Sequence, residues 1–502
     1  MAVVTTSTKV ARGIAWAGLY QVFEAAVSFA AMLVLVRLIS PIDYGRASAV
    51  AGFLGLMNAV SINSLVPHAL QIPESQEPDW SLHWSVGCYV QGALFCCCEI
   101  IAFLCFLTRG YRPIASLLSV AGFGLLFDLA NSLSINMIRR SLDYGRYRFL
   151  LGASVAFKIA LIIILAVAGQ GALGIVLGSN VVSGMPFGVD LLCRRRWRPR
   201  AGWWRWPDWK AYRSTLYFGA QQAGSSLLIR GRVAAESAIL PLTLGFGAIG
   251  LWNRGQALYS ISVGRVGAVL IDTAYPVLPR FALDRAKFSL VSGLFLQVAS
   301  WVAIIGALYV GISGDYLLAV LYGPRWASVE PLVWPGALGG MAAALFSAGW
   351  SIALGAGRLK TCFSLDITSA ILVAPALGMV FFLHDMRVYA WALVAVQGIA
   401  AIVALSRVFP LLQPGALRSA IWPPLCAGAS GCAIVLLMNA ARVGLHGIVH
   451  LSLATSLYAV AALGTLRLFW PDLLHCIVFR LPGASILTRM LSLDSLSAEA
   501  AL

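Results

Sequence analysis

Arg254, Arg265 and Asp272 stand inside one long apolar stretch of the chain, 11 and 7 residues apart. At about 100° per residue these intervals bring all three within about 20° of one another on a helix, as a stripe about 27 Å long. Two guanidiniums on one face can grip an anion, because arginine offers planar, bidentate donors. An ionisable group at a membrane helix centre costs at least ~2.5–3.5 kcal/mol. Such a stripe therefore faces a cavity or is braced by acids on neighbouring helices, and both readings stand at this point.

Nine further ionisable residues lie in apolar stretches: Glu24, Glu99, Asp128, Lys158, Asp190, Arg230, Arg232, Glu236 and Asp366. Arg232 and Glu236 are four apart and predict an ion pair along one helix. Arg230 falls about 200° round from Arg232, in line with Ser226 and Gln222, and joins Arg254 and Arg265 as a cationic cavity candidate. Lys158, in line with Ser154, either faces a cavity or snorkels to an interface. Nearer the N-terminus the polar stripes are milder. Gln21, Glu24 and Ser28 share a face; Asp128, Ser132 and Asn136 follow at i, i+4 and i+8; Asn58 and Asn63 mark another segment. Such groups hydrogen-bond a polar cargo, carry a coupling proton or cation, or tie helix to helix. Asn58 and Asn136 are the neutral cavity candidates. Glu24, Asp128 and Asp272 are the coupling or ion-pair acids.

Bond-making chemistry leaves no trace. There is no Ser/His/Asp arrangement, no metal-ligand spacing and no phosphate-cradling glycine loop. The ten cysteines include Cys96-Cys97-Cys98 in an apolar run and no CxxC pair, so neither a metal nor a disulfide framework is expected. No cofactor is called for.

The elements that position these residues follow from composition. Sixty per cent of residues are hydrophobic and 11 per cent charged, against about a quarter charged in soluble domains. The chain reads as an all-α polytopic membrane protein with fourteen spans of about 20 residues each. With the N-terminus in the cytoplasm, 24 of the 36 Lys and Arg residues fall on that side, seven fall outside and five lie within spans. One loop dissents: 67–80 belongs inside yet holds Glu74, Glu77 and Asp79 and no Lys or Arg. The net charge of +16 therefore reflects topology and gives no reason to expect a nucleic-acid partner. The basic loop "CRRRWRPRAGWWRWPDWKAYR" (193–213) either fixes topology or grips anionic headgroups.

"DYGR" occurs twice, at 43–46 and 143–146. The first falls in an outer loop and the second in an inner one, so they are not twin sites. Each glycine is expected to permit a tight turn. Tyr44, Gly45 and Arg46 are gate or turn candidates. "SPIDYGRASAVAGF" also lines up with "GFGAIGLWNRGQAL" (245–258), setting Gly45 against Gly250, and "GRYR" (145–148) with "GRLK" (357–360). The nearly constant offset implies two six-helix units. The expected organisation is a lobe at 1–193, a linker at 194–213, a second lobe at 214–410, two further helices at 411–470 and a cytoplasmic tail at 471–502.

"RLISPIDYGRASAV", "GAIGLWNRGQAL" and "LYGPRWASVEPLVWPGALGG" (321–340) resemble the Wzx-type polysaccharide flippases of the multidrug/oligosaccharidyl-lipid/polysaccharide exporter superfamily. The resemblance runs over most of 10–410. It implies two six-helix lobes around a cavity that opens alternately to each side. The cargo would be an undecaprenyl-pyrophosphate-linked oligosaccharide carried across a bacterial inner membrane, with a periplasmic polymerase and a chain-length regulator as partners. In that setting Arg230, Arg254 and Arg265 would hold the pyrophosphate. A small-molecule or drug exporter of the same superfamily is the alternative, but the arginines favour an anionic cargo. A membrane-embedded polymerase is disfavoured by the lack of paired acids in the outer loops.

Overall fold

The computed structural model describes residues 6–73, 76–193, 197–267, 278–441 and 447–478, and is all-helical with no strand among them. In the first compact unit, Met1–Gly250, the helices are α1 (Thr6–Leu38), α2 (Pro41–Ala59), α3 (Ile62–Leu65), α4 (Trp80–Leu107), α5 (Arg112–Arg140), α6 (Tyr144–Val167), α7 (Gly171–Leu177) and α8 (Met185–Cys193). α9 (Arg213–Tyr259) begins in this unit and runs into the second, Leu251–Leu502. There follow α10 (Arg285–Ile312), α11 (Gly314–Leu317), α12 (Glu330–Gly355), α13 (Leu359–Leu383), α14 (Met386–Val408), α15 (Ala416–Ala440), α16 (Gly447–Phe469) and α17 (Pro471–Val478). In the first unit α4 packs on α5, α1 on α6 and α5 on α8; in the second, α12 packs on α14 and α10 on α15.

The scarce polar residues between spans start these helices. Ser40 accepts from the Asp43 amide at 3.2 Å, ahead of Pro41 in the first turn. Asp79 accepts from the amides of Ser81 and Leu82, Asp143 from Arg146, Asp284 from Lys287 and Asp385 from Arg387. Each supplies an acceptor to a helix end that has no carbonyl for its first amides.

Among the described residues, eleven helices are long and apolar enough to cross a membrane, or twelve if the bent pair Pro41–Ala59 and Ile62–Leu70 is one span. The chain is a multi-pass membrane protein, but fourteen spans are not what the described residues count. α1 is not in that count, and the expected spans 214–239 and 248–274 enter it as one stretch, Arg230–Gly267. The break between them is present all the same: Gly245 (φ 78°, ψ 164°) interrupts α9 with a conformation closed to most L-residues.

The two DYGR segments use one vocabulary in different registers. Asp43 is already inside α2, pairing with Arg46 at 3.5 Å, whereas Asp143 is itself the cap of α6. Neither glycine has a positive φ, so the tight-turn expectation is corrected. Gly45 is instead a point of close approach. A β-carbon there would lie 1.7 Å from the Phe246 carbonyl oxygen, and one at Gly250 would lie 1.8 Å from that of Pro41. The two glycines that the sequence comparison set against each other are in contact, where small residues let helix backbones approach.

The dissenting acidic loop is explained by a residue distant in sequence. Arg140, at the end of α5, donates from one guanidinium nitrogen to the carbonyls of Ala69 and Ile72 at 2.6 and 2.9 Å. Its other terminal nitrogen donates to those of Pro73 and Gln76 at 3.0 and 2.7 Å. Arg200, from the basic loop, adds a pair with Asp79 at 3.5 Å. The positive charge missing from 67–80 is thus supplied by the end of α5 and by the basic loop. We expect Arg140→Ala to destabilise the first unit by about 2 kcal/mol, since four charge-assisted bonds are lost but two are solvent-exposed. Arg140→Lys should recover only part, because an ammonium lacks the planar fork. Thermal melting in detergent and protease cleavage within 69–79 would check both.

A polar cavity in the first unit

Residues of α2, α3, α5, α6, α8 and the segment between α7 and α8 surround a cavity of about 310 Å³. The chemistry comes from Asn58, Asn63, Asp128, Asn131, Asn180 and several serines; Leu54, Leu151 and Phe187 are among the apolar wall. Two interruptions of helix geometry gather these groups. Asn58 and Asn63 are five residues apart, about 140° round an unbroken helix. A 46° bend at the α2–α3 junction lets both line the cavity. Ser61 makes that bend: its hydroxyl donates to the Asn58 carbonyl at 3.0 Å and accepts from the Asn63 amide at 3.2 Å.

Across the cavity, Gly178–Val182 is a π-helical turn. Such turns insert one residue into a helix and recur at functional sites. Here the turn brings Ser179, Asn180 and Ser183 to the same wall. α5 lies so close that a β-carbon at Gly124 would be 2.3 Å from the Asn180 carbonyl oxygen.

Asp128 is the single ionisable group among the lining residues, with Asn131 and Asn63 on the same cavity wall. The Oδ1 atoms of Asn58 and Asn131 are buried without hydrogen-bond partners. One carboxylate and spare amide oxygens, with no cation built into the wall, form an acceptor-rich site. Such a site suits a proton or a hard cation. No cluster of three or more His, Cys, Asp or Glu that could hold a metal occurs among the described residues.

Other sequence candidates fall elsewhere. Asn136 does not line this cavity; its amide donates to the Ser132 carbonyl one turn back, at 2.8 Å. Glu24 belongs to the α1–α6 seam, beside Tyr20 and near enough to Lys158 for its charge to act there. Arg148 lies over the Tyr20 ring at 5.3 Å in the same seam. Asp190 is in a buried ion pair with Arg146, whose Nε stands at 3.1 Å. Arg232 and Glu236 form the pair that their spacing predicts, at 3.7 Å. Glu99 accepts from the Ser119 hydroxyl at 2.8 Å, and Asp366 is half-buried on α13. Tyr44 is buried while Arg46, paired to Asp43, is half-buried.

The arginine stripe needs correction. Arg230 is exposed and lies in the first unit; Arg254 and Arg265 are half-buried in the second. A π turn at Ser260–Gly264 separates the latter two. One inserted residue turns Arg265 about a quarter turn off the line from Arg254, so they do not form the straight stripe of a uniform α-helix. Asp272 lies outside the described residues.

Sequence reasoning missed Asn131, Ser179, Asn180 and Ser183. The signal for the last three was the string "GSNVVSG" at 178–184, too small and polar for the middle of an apolar span.

Broken, cavity-lining helices inside a multi-pass bundle are an arrangement that transporters use, and comparison with solved structures shows which fold this is. The chain shares the fold of transporters of the MOP superfamily. It superposes on a structure titled "Lipid II flippase MurJ, inward closed conformation" with a TM-score of 0.72 and 11% identity, over 92% of this chain and 100% of that one. An inward-facing multidrug resistance MATE family transporter of the MOP superfamily matches at 0.57 and 14%, over 77% of this chain and 95% of that one. These likenesses define the fold alone.

The family is fixed by sequence: a model described as "Polysaccharide biosynthesis protein" matches residues 34–331, and the chain belongs to that family. It is 21% identical over 244 residues to the teichuronic acid biosynthesis protein TuaB of Bacillus subtilis (strain 168), covering 47% of this chain and 49% of that one. It is 25% identical over 213 residues to the amylovoran biosynthesis protein AmsL of Erwinia amylovora, covering 42% and 53%. The chain thus spans about half the length of the curated relatives it matches.

Proposed function

We propose that this protein is a flippase that carries an undecaprenyl-pyrophosphate-linked oligosaccharide across the bacterial inner membrane, with both termini cytoplasmic. The reading is carried by one coincidence: membership of a polysaccharide biosynthesis family in a chain whose fold matches a lipid II flippase along nearly its whole length. A lipid-linked sugar precursor is the cargo class that joins the two. Arg254 and Arg265 are the groups that hold the pyrophosphate in this reading, and Arg230 is a separate cationic candidate in the first unit. The Asp128 cavity is where a coupling proton or cation is taken, because a carboxylate placed among neutral amides in a span needs a positive partner to remain there. A polymerase and a chain-length regulator would act on the product.

The test is a deletion strain. Complete lipid-linked repeat units should accumulate on the cytoplasmic side while surface polysaccharide is lost, with rescue by wild type and not by Arg254→Ala. Normal surface polysaccharide with normal precursor pools would overturn the reading and leave export of small molecules in its place.

A further inference from the structure

The basic loop after α8 is a built surface. Its backbone is fastened to the first turns of α4 at several points. The Ser85 hydroxyl donates to the Trp203 carbonyl at 2.7 Å and the Tyr89 hydroxyl to the Trp204 carbonyl at 2.9 Å. Ser81 accepts from the Arg200 amide at 3.2 Å, and buried His83 is hydrogen-bonded to Tyr212 at 2.5 Å. Trp84 sits between Trp197 and Trp203, with ring centroids at 5.7 and 5.9 Å.

Having fixed the inner tryptophans, the loop turns others outward. Trp204 and Trp206 are 61% and 72% exposed, and Arg198, Arg200, Arg205, Lys210 and Arg213 are exposed around them. The single acid in 197–213, Asp208, accepts from the amides of Lys210 and Ala211 and so serves its own turn. Five exposed cations and two outward indoles thus lie within one loop of seventeen residues, and the acid that meets one of them is Asp79, at 3.5 Å from Arg200.

The depth of this face selects its partner. α4 has 28 residues, about 42 Å at 1.5 Å each, against about 30 Å of hydrocarbon. About 12 Å of it therefore stands outside the apolar layer. Tyr89, which packs on Trp206 at 5.2 Å and holds Trp204, is about 13 Å along from Trp80. With the excess at this end, the two exposed indoles come level with the boundary between headgroups and acyl chains. Tryptophan concentrates at that depth.

We propose that residues 197–213, seated on the start of α4, form a docking surface for the headgroups of acidic phospholipids. The arginines meet the phosphates while Trp204 and Trp206 rest at the boundary. The inference is independent of the cargo.

The test is native mass spectrometry of the full-length protein in mild detergent, titrated with the acidic lipid POPG or the zwitterionic POPC. Wild type should retain POPG preferentially. Arg198→Gln/Arg200→Gln/Arg205→Gln should lower that preference on the order of tenfold or more, since each basic residue contributes separately at a charged surface. Arg358→Gln/Lys360→Gln, another exposed basic pair, should leave it unchanged. Equal retention of the two lipids by wild type, or an unaltered preference in the triple variant, would overturn the proposal. If the triple variant does not fold, Trp204→Ala/Trp206→Ala takes its place and must also weaken POPG retention. A surface that ignores POPG yet holds an RNA oligonucleotide or a protein through the same arginines overturns it equally.

Discussion

Asp128→Asn leaves the protein folded and inserted but cuts transport at least tenfold. Asparagine has nearly the same shape and can stay within the cluster of Asn131 and Asn63. What it removes is the only ionisable group lining the cavity. A charge within a span costs ~2.5–3.5 kcal/mol or more unless compensated, so neutralisation should hold the melting temperature level or raise it. Opposite signs for stability and transport separate a coupling role from a structural one. Precursor pools in the complemented deletion strain give the first quantity and thermal melting in detergent gives the second. A variant that transports normally, or that loses stability in step with transport, would remove Asp128 from the coupling role. Asp128→Glu keeps the charge but lengthens the side chain in a closely packed wall, and should retain part of the activity.

Gly45→Val and Gly250→Val have the largest expected effect on folding. Overpacking a tight interface usually costs about 1–3 kcal/mol. Here the added atoms would fall within 1.7 and 1.8 Å of backbone carbonyl oxygens, which no rotamer change relieves. We expect each to cost at least about 3 kcal/mol, seen as a lower melting temperature and reduced yield of monodisperse protein. Gly92→Ala is the control: a β-carbon there meets nothing within 4 Å, and alanine favours the helix. If Gly45→Val melted like Gly92→Ala, the close crossing of α2 and α9 would not hold this unit together.

The class of the fold was legible because hydrophobic runs of span length admit few other readings. What the sequence concealed were departures from uniform geometry. The arithmetic that aligned Arg254 with Arg265 assumes a constant 100° per residue, and the π turn at Ser260–Gly264 breaks that assumption. On an unbroken helix the same arithmetic would set Asn58 and Asn63 about 140° apart, whereas the Ser61 bend unites them. Asn136 shows the reverse failure: it shares a face with Asp128 and Ser132, yet it spends its amide on its own helix. Gly45 was read through its own φ and ψ, although its role is set by a helix two hundred residues away. Arg140 could not be matched to 67–80 because its partners there are carbonyl oxygens, which every residue carries.

Three π turns, at Gly178–Val182, Ser260–Gly264 and Leu318–Tyr322, give the chain an uncommon tolerance and an uncommon hazard. Each is an α-helix holding one residue too many, so deleting a residue there repairs the helix. Elsewhere in a span the same deletion would drag part of an apolar face out of place. At 178–182 the repair would rotate all that follows by about 100° and swing Asp190 away from Arg146. Gaps of one residue against distant relatives should therefore fall at these turns, and a gap at 178–182 will leave the cavity wall with different side chains on an otherwise unchanged bundle.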